Sequence, residues 1–577
     1  MIELDLNNST SYINKLRNNE IFPVLKLISN EHAKISSKFH IWWAKKPGNI
    51  IKILIQHFTK PNEIVLDPFS GSGAVLEEAI KLGRKSIALD LNPLSIFLME
   101  NLISKKNWEL IQDYYEKILK NLKDKCKIVG LKSIFDLYET NCPICKGIAR
   151  INYVIWEDDT PIAVRLYCIK DGILTKNKIE KKDIELINEI EKINWKSKIN
   201  NVKFIQNSRI NVSKNMYLMD FFTKRNFLAL SSLIDEINSL SACAEREFLK
   251  FIFSSTLRKT SKLISTKGGL SLGFWIPKKN RKENNVFFQF EKVKDKLWRK
   301  KNYLDELNQI SKRALNFSEL KTNKNLLIKK FNATELIELI EPESIDLIVT
   351  DPPYADEVPY FELTQLWNPW LDFEISHIDL LNEIILTNSP ERIEKNVHAE
   401  EGVTNYRSLL ESSFKQMFQT LKNHHYACVW FKEAELKIWN FLIESALNAG
   451  FVYLDQINVN TDIRSLKPKF SPKHSLTGHV LIFFLKDKNL HLSKVEPDWN
   501  LAVKLICMQA ERIILKNGGK ATTSELYNGI GIKEQGIIAQ LIKNNALKLI
   551  SNRYDNLFYF FKKHFKFDKE SYSWFIN

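Results

Sequence analysis

Short apolar runs alternate with helical patterns of hydrophobic residues in two separate parts of the chain. Near the start, the run Ile64–Leu66 leads into a glycine-containing turn and a helical pattern over Ala74–Leu82. The run Ser86–Leu89 leads into a second helical pattern over Pro93–Leu102, with proline at its first position. These patterns predict two consecutive βα units.

The same alternation returns much later in the chain and predicts five more strands and two more helices. The predicted strands are Leu326–Phe331, Ile345–Thr350, Tyr426–Phe431, Phe451–Val459 and Val480–Leu485, and the predicted helices are Thr334–Ile340 and Glu433–Ala449. We therefore expect an α/β fold with a Rossmann-like sheet of seven strands.

The spacing of the strands predicts an inserted domain. A βα unit takes about 30 residues, so the fourth strand is expected about 90 residues after the first. Here it begins near Ile345, and the surplus of roughly 190 residues between Leu102 and Leu326 is too long for a loop. The pattern in this surplus is mainly helical, as in Asp220–Phe253, with a short β segment that carries cysteines.

Four regions follow from this interpretation. Residues 1–103 and 326–489 form the two parts of the sheet domain, 104–325 the insert, and 490–577 a small appendage. Helical patterns at Thr523–Leu526 and Gln535–Leu547 are compatible with a winged-helix-like unit or with a simple helical cap.

Composition favours nucleic acid as a partner and argues against a secreted, membrane-bound or disulfide-rich protein. The 577 residues carry a formal charge of +16, which favours encounter with a polyanion such as nucleic acid. A coding sequence that is biased toward lysine explains part of this excess of positive charge. An apolar fraction of 44% is typical of a globular protein. Residues 1–10 do not resemble a signal peptide and no window offers about 18 unbroken apolar residues, so we expect a cytoplasmic protein without a membrane partner. Seven cysteines, an odd number, do not indicate a disulfide framework.

The turn after the first strand indicates a nucleoside ligand. In Asp67-Pro68-Phe69-Ser70-Gly71-Ser72-Gly73 the glycines let backbone N–H groups approach a ligand, and Asp90 ends the next strand where ribose hydroxyls bind. The turn lacks the three-glycine pattern of dinucleotide sites. Its phenylalanine favours a nucleoside with a sulfonium amino-acid tail, S-adenosylmethionine. A turn with only a structural role is the alternative.

A more specific signal follows the strand Ile345–Thr350. Asp351-Pro352-Pro353-Tyr354 places a carboxylate, a carbonyl and an aromatic face at the carboxyl edge of the sheet, where the active sites of such folds lie. An exocyclic amine of a base is a poor nucleophile, and hydrogen bonds to a carboxylate and a carbonyl would orient its lone pair toward a methyl donor. The tyrosine would stack on a base rotated out of the duplex. The alternative is a rigid turn, since prolines are common in loops.

Both motifs resemble those of amino-methylating DNA methyltransferases, and the fuller pattern resembles the bacterial adenine-specific DNA methylases that contain a zinc ribbon. Further matching segments are Phe22-Pro23, His40-Ile41-Trp42-Trp43-Ala44-Lys45-Lys46-Pro47, Phe221-Phe222-Thr223-Lys224-Arg225-Asn226, and Asp356, Tyr360, Phe361 and Glu362. The resemblance runs discontinuously from Phe22 to Lys486. It implies S-adenosylmethionine as cofactor and double-stranded DNA with base flipping as substrate.

The resemblance also assigns roles to residues. It implies that the cofactor is contacted by Asp67, Phe69, Ser70, Gly71 and Gly73, its ribose by Asp90 and its adenine by Asn332, where such enzymes more often have aspartate. Asp351, Pro352, Pro353 and Tyr354 would form the catalytic motif.

In these families an aspartate at the first position of the motif accompanies mostly adenine N6 and a serine mostly cytosine N4, so Asp351 favours adenine. Cytosine-N4, RNA or protein amino-methylation and a non-catalytic DNA-binding subunit remain alternatives. A restriction or phage-defence partner is open. Two tryptophans, Trp42 and Trp43, precede the first strand, and core packing is the favoured interpretation of their rings.

Cysteines in the insert indicate a metal site. Cys142 and Cys145 have the spacing of half a zinc ribbon and Cys168 follows, but Asp171 stands where a fourth cysteine would complete the site. A zinc site of three thiolates and one carboxylate and a ribbon that folds without metal both remain open.

A basic stretch between Arg258 and Lys301 is a candidate DNA-contacting surface, or else a solvated charged face around core aromatics. It contains Arg258, Lys259, Lys262, Lys267, Gly268, Gly269, Phe274, Trp275, Lys278, Lys279, Arg281, Lys282, Trp298, Arg299, Lys300 and Lys301. We expect the insert to help choose the DNA sequence.

Overall fold

The computed structural model describes residues 11–576 except 33, 35–38, 125, 127, 129–130, 177, 196, 208–209, 268–274, 356–357, 387–399, 460–475, 491–497 and 531–533. Among the residues singled out in the sequence, residues 1–10, Gly268, Gly269, Phe274 and Asp356 lie outside the described part. None of the described helices combines the length and the apolar character needed to cross a membrane.

The described secondary structure follows the predicted alternation. The strands are β1 (Ile64–Asp67), β2 (Lys85–Asp90), β3 (Glu139–Asn141), β4 (Ile148–Glu157), β5 (Thr160–Cys168), β6 (Gly172–Lys176), β7 (Arg281–Asn284), β8 (Arg313–Ala314), β9 (Leu326–Lys330), β10 (Ile345–Thr350), β11 (Leu421–Phe431), β12 (Phe451–Val459), β13 (His479–Lys486), β14 (Ala521–Thr522), β15 (Gly529–Ile530), β16 (Glu534–Gln535), β17 (Lys566–Asp568) and β18 (Ser573–Phe575).

The α-helices alternate with these strands. They cover Phe22–Ser29, Gly48–Phe58, Ala74–Lys81, Pro93–Ile103, Trp108–Asp124, Lys181–Lys192, Lys224–Asn238, Ala244–Leu257, Val286–Trp298, Lys301–Ile310, Phe317–Leu320, Tyr360–Thr364, His377–Asn382, Glu400–Thr420, Leu436–Ala449, Trp499–Lys516, Thr523–Asn528, Ile537–Lys543, Leu547–Ser551 and Leu557–His564. The predicted helix Thr334–Ile340 is a 3₁₀ helix, Ala333–Glu338.

The central sheet has the order β12-β13-β11-β10-β1-β2-β9-β8. All neighbouring pairs are parallel except those of β13, which runs antiparallel between β11 and β12. Each of the seven predicted strands has a counterpart here, and the two-residue strand β8 adds an eighth. The chain leaves β1 toward β2 on one side and returns to its other side at β10, so a crevice opens at the carboxyl ends of β1 and β10.

Both faces of the sheet are covered, which explains the uninterrupted apolar runs of its strands. Because side chains alternate along a strand, Val65 of β1 packs toward the helices Gly48–Phe58 and Ala74–Lys81, while Leu66 packs on the opposite side with the helices Glu400–Thr420 and Leu436–Ala449. The carboxyl edge between these layers carries the loops described below.

The region 104–325 contains more β structure than its pattern predicted. Besides its helices it holds an antiparallel sheet of five strands, β3 to β7, in which β7 pairs with β4. Its assignment as a separate domain remains a prediction.

The C-terminal region contains the two predicted helices, as Thr523–Asn528 and Ile537–Lys543, and also the antiparallel sheet β14-β18-β17. That sheet was not predicted from the sequence. The backbone N–H of Leu436 donates to the carbonyl of Asp555 at 2.8 Å, which ties this region to the sheet domain. The winged-helix-like interpretation remains a prediction.

Candidate active site

The glycine turn lies across the carboxyl ends of β1 and β2. Gly71 and Gly73 have φ values of +52° and +82°, a left-handed conformation that glycine adopts without steric cost. A Cβ atom on Gly71 would lie 2.4 Å from Nε1 of Trp42, so the indole covers the backbone of the turn. The N–H of Ser70 donates to the carbonyl of Leu89 at 2.9 Å and anchors the turn to β2.

Asp90, at the end of β2, stabilises the same turn by accepting hydrogen bonds. Its Oδ2 accepts a hydrogen bond from the N–H of Gly71 and its Oδ1 one from Asn92, both at 2.8 Å. Burial raises the pKa of Asp90 to about 6, against the effect of these hydrogen bonds. The carboxylate lies on the cleft wall, and its contact with a ribose remains a prediction.

The turn and the Asp351 motif meet at the point where β1 and β10 end. Oδ1 of Asp67 accepts a hydrogen bond from the hydroxyl of Thr350 at 2.7 Å and one from the N–H of Phe69 at 3.1 Å. Burial raises the pKa of Asp67 to about 7, and the negative charges of Asp351 and Asp90 raise it further. Two loops far apart in sequence are therefore parts of one site.

A cleft of about 960 Å³, counting the part open to solvent, lies between these loops. Eight of the residues selected from the sequence line it: Asp67, Phe69, Ser70, Gly71, Asp90, Asn332, Asp351 and Pro353. Gly73, Pro352 and Tyr354 do not line it.

Tyr354 is turned into the protein. Its side chain is 6% exposed and packs edge-on against Phe431, with ring centres 5.2 Å apart. The hydroxyl of Tyr406, on the helix Glu400–Thr420, donates to the carbonyl of Pro353 at 3.2 Å and fixes the loop. Stacking of Tyr354 on a flipped base thus needs a movement of this loop, and it remains a prediction.

Asn332 faces the cleft on the other side of β1, after β9. Its Oδ1 accepts from the N–H of Thr334 at 3.1 Å and caps the 3₁₀ helix that follows. Asparagine therefore has a local structural role at this position, and its contact with an adenine remains a prediction.

Trp42 and Trp43 are 8% and 7% exposed and belong to the core, as expected. Both also line the cleft, where Trp42 stacks on Tyr360 with ring centres 5.6 Å apart.

The structure adds three residues that sequence reasoning did not assign to the site. Thr350 precedes the motif, Trp430 lies near the end of β11 beside it, and Lys46 forms an ion pair with Asp351. One signal for Lys46 was available: a lysine among tryptophans must find a counter-charge when it is buried.

Cys142, Cys145, Cys168 and Asp171 come together at one end of the five-stranded sheet. Their ligand atoms all lie within 4.8 Å of one another. Cys142 Sγ is 3.0 Å from Asp171 Oδ2, and the Sγ atoms of Cys145 and Cys168 are 3.5 Å apart. Hydrogen bonds from the three thiols lower the pKa of Asp171. Such separations suit a tetrahedral ion with thiolate and carboxylate ligands.

Among the described residues of the stretch 258–301, the two tryptophans pack inside the protein, which favours the alternative of a charged face around core aromatics. Trp275 is 4% exposed in the core, and Trp298 packs edge-on against Trp108 with ring centres 5.3 Å apart. Arg281 is buried and pairs with Asp159. Core packing explains these three side chains.

Four other cations of this stretch are near one another, and one of them, Lys296, is near Lys45 on the cleft wall. We call Lys45, Arg258, Lys259, Lys292 and Lys296 the basic patch. Burial lowers the pKa of Lys259 to about 8, and the charges of Lys296, Arg258 and Lys292 lower it further. Burial likewise lowers the pKa of Lys45, a cleft residue, to about 8. A concentration of like charges at a cleft mouth favours an anionic ligand.

Comparison with known proteins places the first part of the chain. A family model described as a DNA methylase matches residues 9–97. This segment is therefore similar to DNA methylases. The matched DNA methylase segment includes Lys46, the glycine turn and Asp90, whereas Asp351 lies beyond it.

Three curated relatives share short segments with this chain. The putative methylase YubD of Escherichia coli is 47% identical over 47 residues, 8% of this chain and 21% of the relative. The type II methyltransferase M.HindIII of Haemophilus influenzae is 46% identical over 54 residues, 9% and 17%. The type II methyltransferase M.MjaII of Methanocaldococcus jannaschii is 28% identical over 87 residues, 14% and 16%. The chain thus spans about a fifth or less of these DNA methylase relatives, and the resemblance stated from the sequence is confirmed at the family level.

Proposed function

We propose that this protein methylates an exocyclic amino group of a base in duplex DNA, adenine N6 in the first place, with S-adenosylmethionine as the methyl donor. The observation that carries the proposal is that the glycine turn at Gly71 and the carboxylate of Asp351 line one cleft. The hydrogen bond between Asp67 and Thr350 fixes their separation. Because the target nitrogen is not accessible inside the stack, the base must leave the duplex.

The cleft fits the donor in three respects. The glycine turn at Gly71 lines the cleft, and Asp90 places a carboxylate on its wall at the end of β2. The indole N–H of Trp430 is buried at the cleft and has no hydrogen-bond partner among the described residues. When bound there, S-adenosylmethionine supplies the methyl group as an electrophile.

The motif residues orient the acceptor. Asp351, which lines the cleft, would accept one hydrogen of the amine, and a backbone carbonyl of the motif would accept the other once the motif loop has moved toward the base, which directs the nitrogen lone pair to the methyl carbon. The bound cofactor would supply the methyl group and leave with the electrons of the S–C bond, and the base nitrogen, once methylated, would release one proton to solvent. Asp351 thus acts mainly by positioning.

The basic patch supports a nucleic-acid substrate. Lys259, Lys292 and Lys296 are close enough for their charges to act on one another, and Lys296 also acts on Lys45, which lines the cleft; such cations would bind phosphates flanking an extruded nucleotide. Two relatives carry the name type II methyltransferase, which supports a place in restriction and modification for this chain too.

The cysteine cluster would hold a structural zinc ion. The donor set of Cys142, Cys145, Cys168 and Asp171 fits Zn²⁺, and its place at the ends of β5 and β6 suits a brace for the insert.

Methylation of duplex DNA, tRNA and protein with tritiated S-adenosylmethionine tests the proposal. Nucleoside mass spectrometry of the DNA then distinguishes N6-methyladenine from N4-methylcytosine. Asp351→Ala, which removes the acceptor oxygens, should lower turnover about 1,000-fold while the Kd for DNA and for the cofactor changes little. Label on tRNA or protein alone, or an unchanged rate in the variant, contradicts the proposal; DNA binding without turnover in the wild type would indicate a recognition subunit.

A further inference from the structure

Lys46 makes direct contact with the catalytic motif. Its Nζ forms an ion pair with Oδ2 of Asp351, 305 positions away in sequence, and the two side chains are 5% and 19% exposed. The same Nζ donates to the carbonyl of Ala44 at 3.0 Å and lies 5.3 Å from the ring centre of Tyr354. One ammonium group therefore contacts both ends of the motif.

The backbone around Lys46 is held in a fixed shape. Ala44 has φ +53°, a left-handed conformation that costs energy for a residue with a side chain and persists only where packing enforces it. The packing is visible in Trp42, stacked on Tyr360, and in Trp43, edge-on to Trp367 at 5.9 Å. Pro47 then starts the helix Gly48–Phe58. The structure thus directs the lysine side chain to the motif.

Other charged groups around the pair explain why a cation is needed. Asp67 of β1 is close enough to Asp351 for each charge to oppose the other. Toward Lys46 lies His479 of β13, whose pKa is lowered well below its ordinary value by burial and then by Lys46 and Lys432, so it is neutral. A carboxyl group that is partly buried next to a second acid tends to take up a proton, and an adjacent cation prevents this.

We propose that Lys46 is a positioning residue for methyl transfer: it keeps Asp351 ionised and holds Oδ2, so that Oδ1 is presented to the amino group of the base. This role rests on the proposed function. A protonated Asp351 would be a weaker acceptor for the amine than a carboxylate, and without Lys46 its Oδ2 would lose the ion-pair partner that holds it.

The test compares Lys46→Met with Lys46→Arg in the full chain. For each we would measure kcat and KM on duplex DNA from pH 5.5 to 9, the Kd for S-adenosylmethionine, and thermal unfolding. In Lys46→Met, kcat at pH 7 should fall about 100-fold with little change in KM for DNA. The acid limb of the kcat profile should move up by about 1 to 2 pH units, since an opposite charge lowers the pKa of an aspartate by about that much. In Lys46→Arg, kcat should be within about 10-fold of the wild-type value, and the acid limb of the profile should lie at the wild-type pH.

Lys486→Met is the matched control. This lysine is also buried, pairs with Glu343 and donates to two backbone carbonyls, but it lies at the other edge of the sheet. The Lys486→Met variant should be less stable to thermal unfolding, and the pH profile of its kcat should not change. An unshifted acid limb in Lys46→Met, or an equal shift in Lys486→Met, would overturn the role of Lys46 while leaving the proposed function in place. A wild-type protein that methylates no DNA at any pH would instead overturn the proposed function, and this role with it.

Discussion

The carboxylate of Asp67 accepts a hydrogen bond from the hydroxyl of Thr350 at 2.7 Å, between residues 283 positions apart in the chain. Asp67 opens the glycine turn, and Thr350 is the last residue of β10 before Asp351. This hydrogen bond sets the distance between the loop assigned to the methyl donor and the loop assigned to the acceptor. Because transfer rates depend steeply on such distances, a change in either loop should be felt in the other.

Gly71→Ala should weaken binding of S-adenosylmethionine at least 10-fold and lower stability. The substitution forces a residue with a Cβ into φ +52°, at a cost of about 1 to 2 kcal/mol, and drives that Cβ against Nε1 of Trp42. Isothermal titration with the cofactor and thermal unfolding measure the two effects.

Gly83→Ala is the control that separates the effect of backbone strain from the effect of a steric clash with the new Cβ. Gly83 has φ +70°, but a Cβ there would meet nothing within 4 Å, and the residue lies between the helix Ala74–Lys81 and β2, away from the cleft. Gly83→Ala should lose about as much stability as Gly71→Ala, from backbone strain alone, and should keep the wild-type affinity for the cofactor. Equal losses of affinity in both variants would show that Gly71 has no special contact with the donor.

Asp67→Asn should have little effect below about pH 4, stabilise the protein progressively as pH rises from about 4 to 7, and give its full gain above pH 7. The pKa of Asp67 is raised to about 7 in the folded state, so its favourable contribution is complete below about pH 4 and is lost as pH rises through 7. Each tenfold change in proton affinity is worth about 1.4 kcal/mol, so the gain at pH 8.5 is on the order of 3 kcal/mol. Asparagine keeps an oxygen for Thr350. Denaturant unfolding from pH 5 to 8.5 measures the difference.

Asp379→Asn should behave in the opposite sense. Burial raises the pKa of Asp379, but hydrogen bonds from Lys330 and Ser376 outweigh it and leave the pKa lowered. Its contribution is therefore present at neutral pH and lost only as pH falls through the folded-state value. The variant should be destabilised at pH 7. If both variants showed the same pH dependence, burial would not be what controls Asp67.

Lys292→Gln with Lys296→Gln should weaken binding of duplex DNA and make it less dependent on salt. Removing one lysine–phosphate interaction lowers the slope of log K against log salt by about 1, so a slope reduced by about 2 is expected. Fluorescence anisotropy across a series of salt concentrations measures it.

The matched control removes two lysines elsewhere. Lys321 pairs with Glu341 and Lys488 with Glu343, both away from the carboxyl edge of the sheet. Lys321→Gln with Lys488→Gln changes the net charge equally and should leave the slope near the wild-type value. An equal effect of both double variants would mean that net charge, and not the basic patch, attracts the DNA.

Protein purified without chelators should contain about one zinc ion per chain, measured by inductively coupled plasma mass spectrometry. Cys145→Ser should lose the ion, and Asp171→Cys should bind it more tightly, because a fourth thiolate completes the set of ligands. Cys243→Ser, which lies outside the cluster, should leave the metal content unchanged. Absence of metal from the wild type would show that the ribbon folds by packing and hydrogen bonds alone.

Local pattern in the sequence was enough to predict the sheet strands and both loops of the site. Ile345–Thr350 is apolar and fully buried, and its end at Asp351 marks the edge of the sheet. Pattern could not predict β8, since two residues have no periodicity. It also missed the ion pair between Lys46 and Asp351, because a pairing across the whole sheet domain leaves no trace in local spacing. The inward position of Tyr354 depends on Phe431, a neighbour that exists only in three dimensions.

The place of β1 between β2 and β10 has a consequence for synthesis. Val65 pairs with Leu347, which leaves the ribosome some 280 residues later, or roughly 15 to 60 seconds at ordinary elongation rates. Throughout that interval one edge of β1 has no partner strand, and such edges tend to pair with other chains. The nascent chain therefore passes through a long stage in which one edge of β1 is open to pairing with other chains, before β10 closes the sheet.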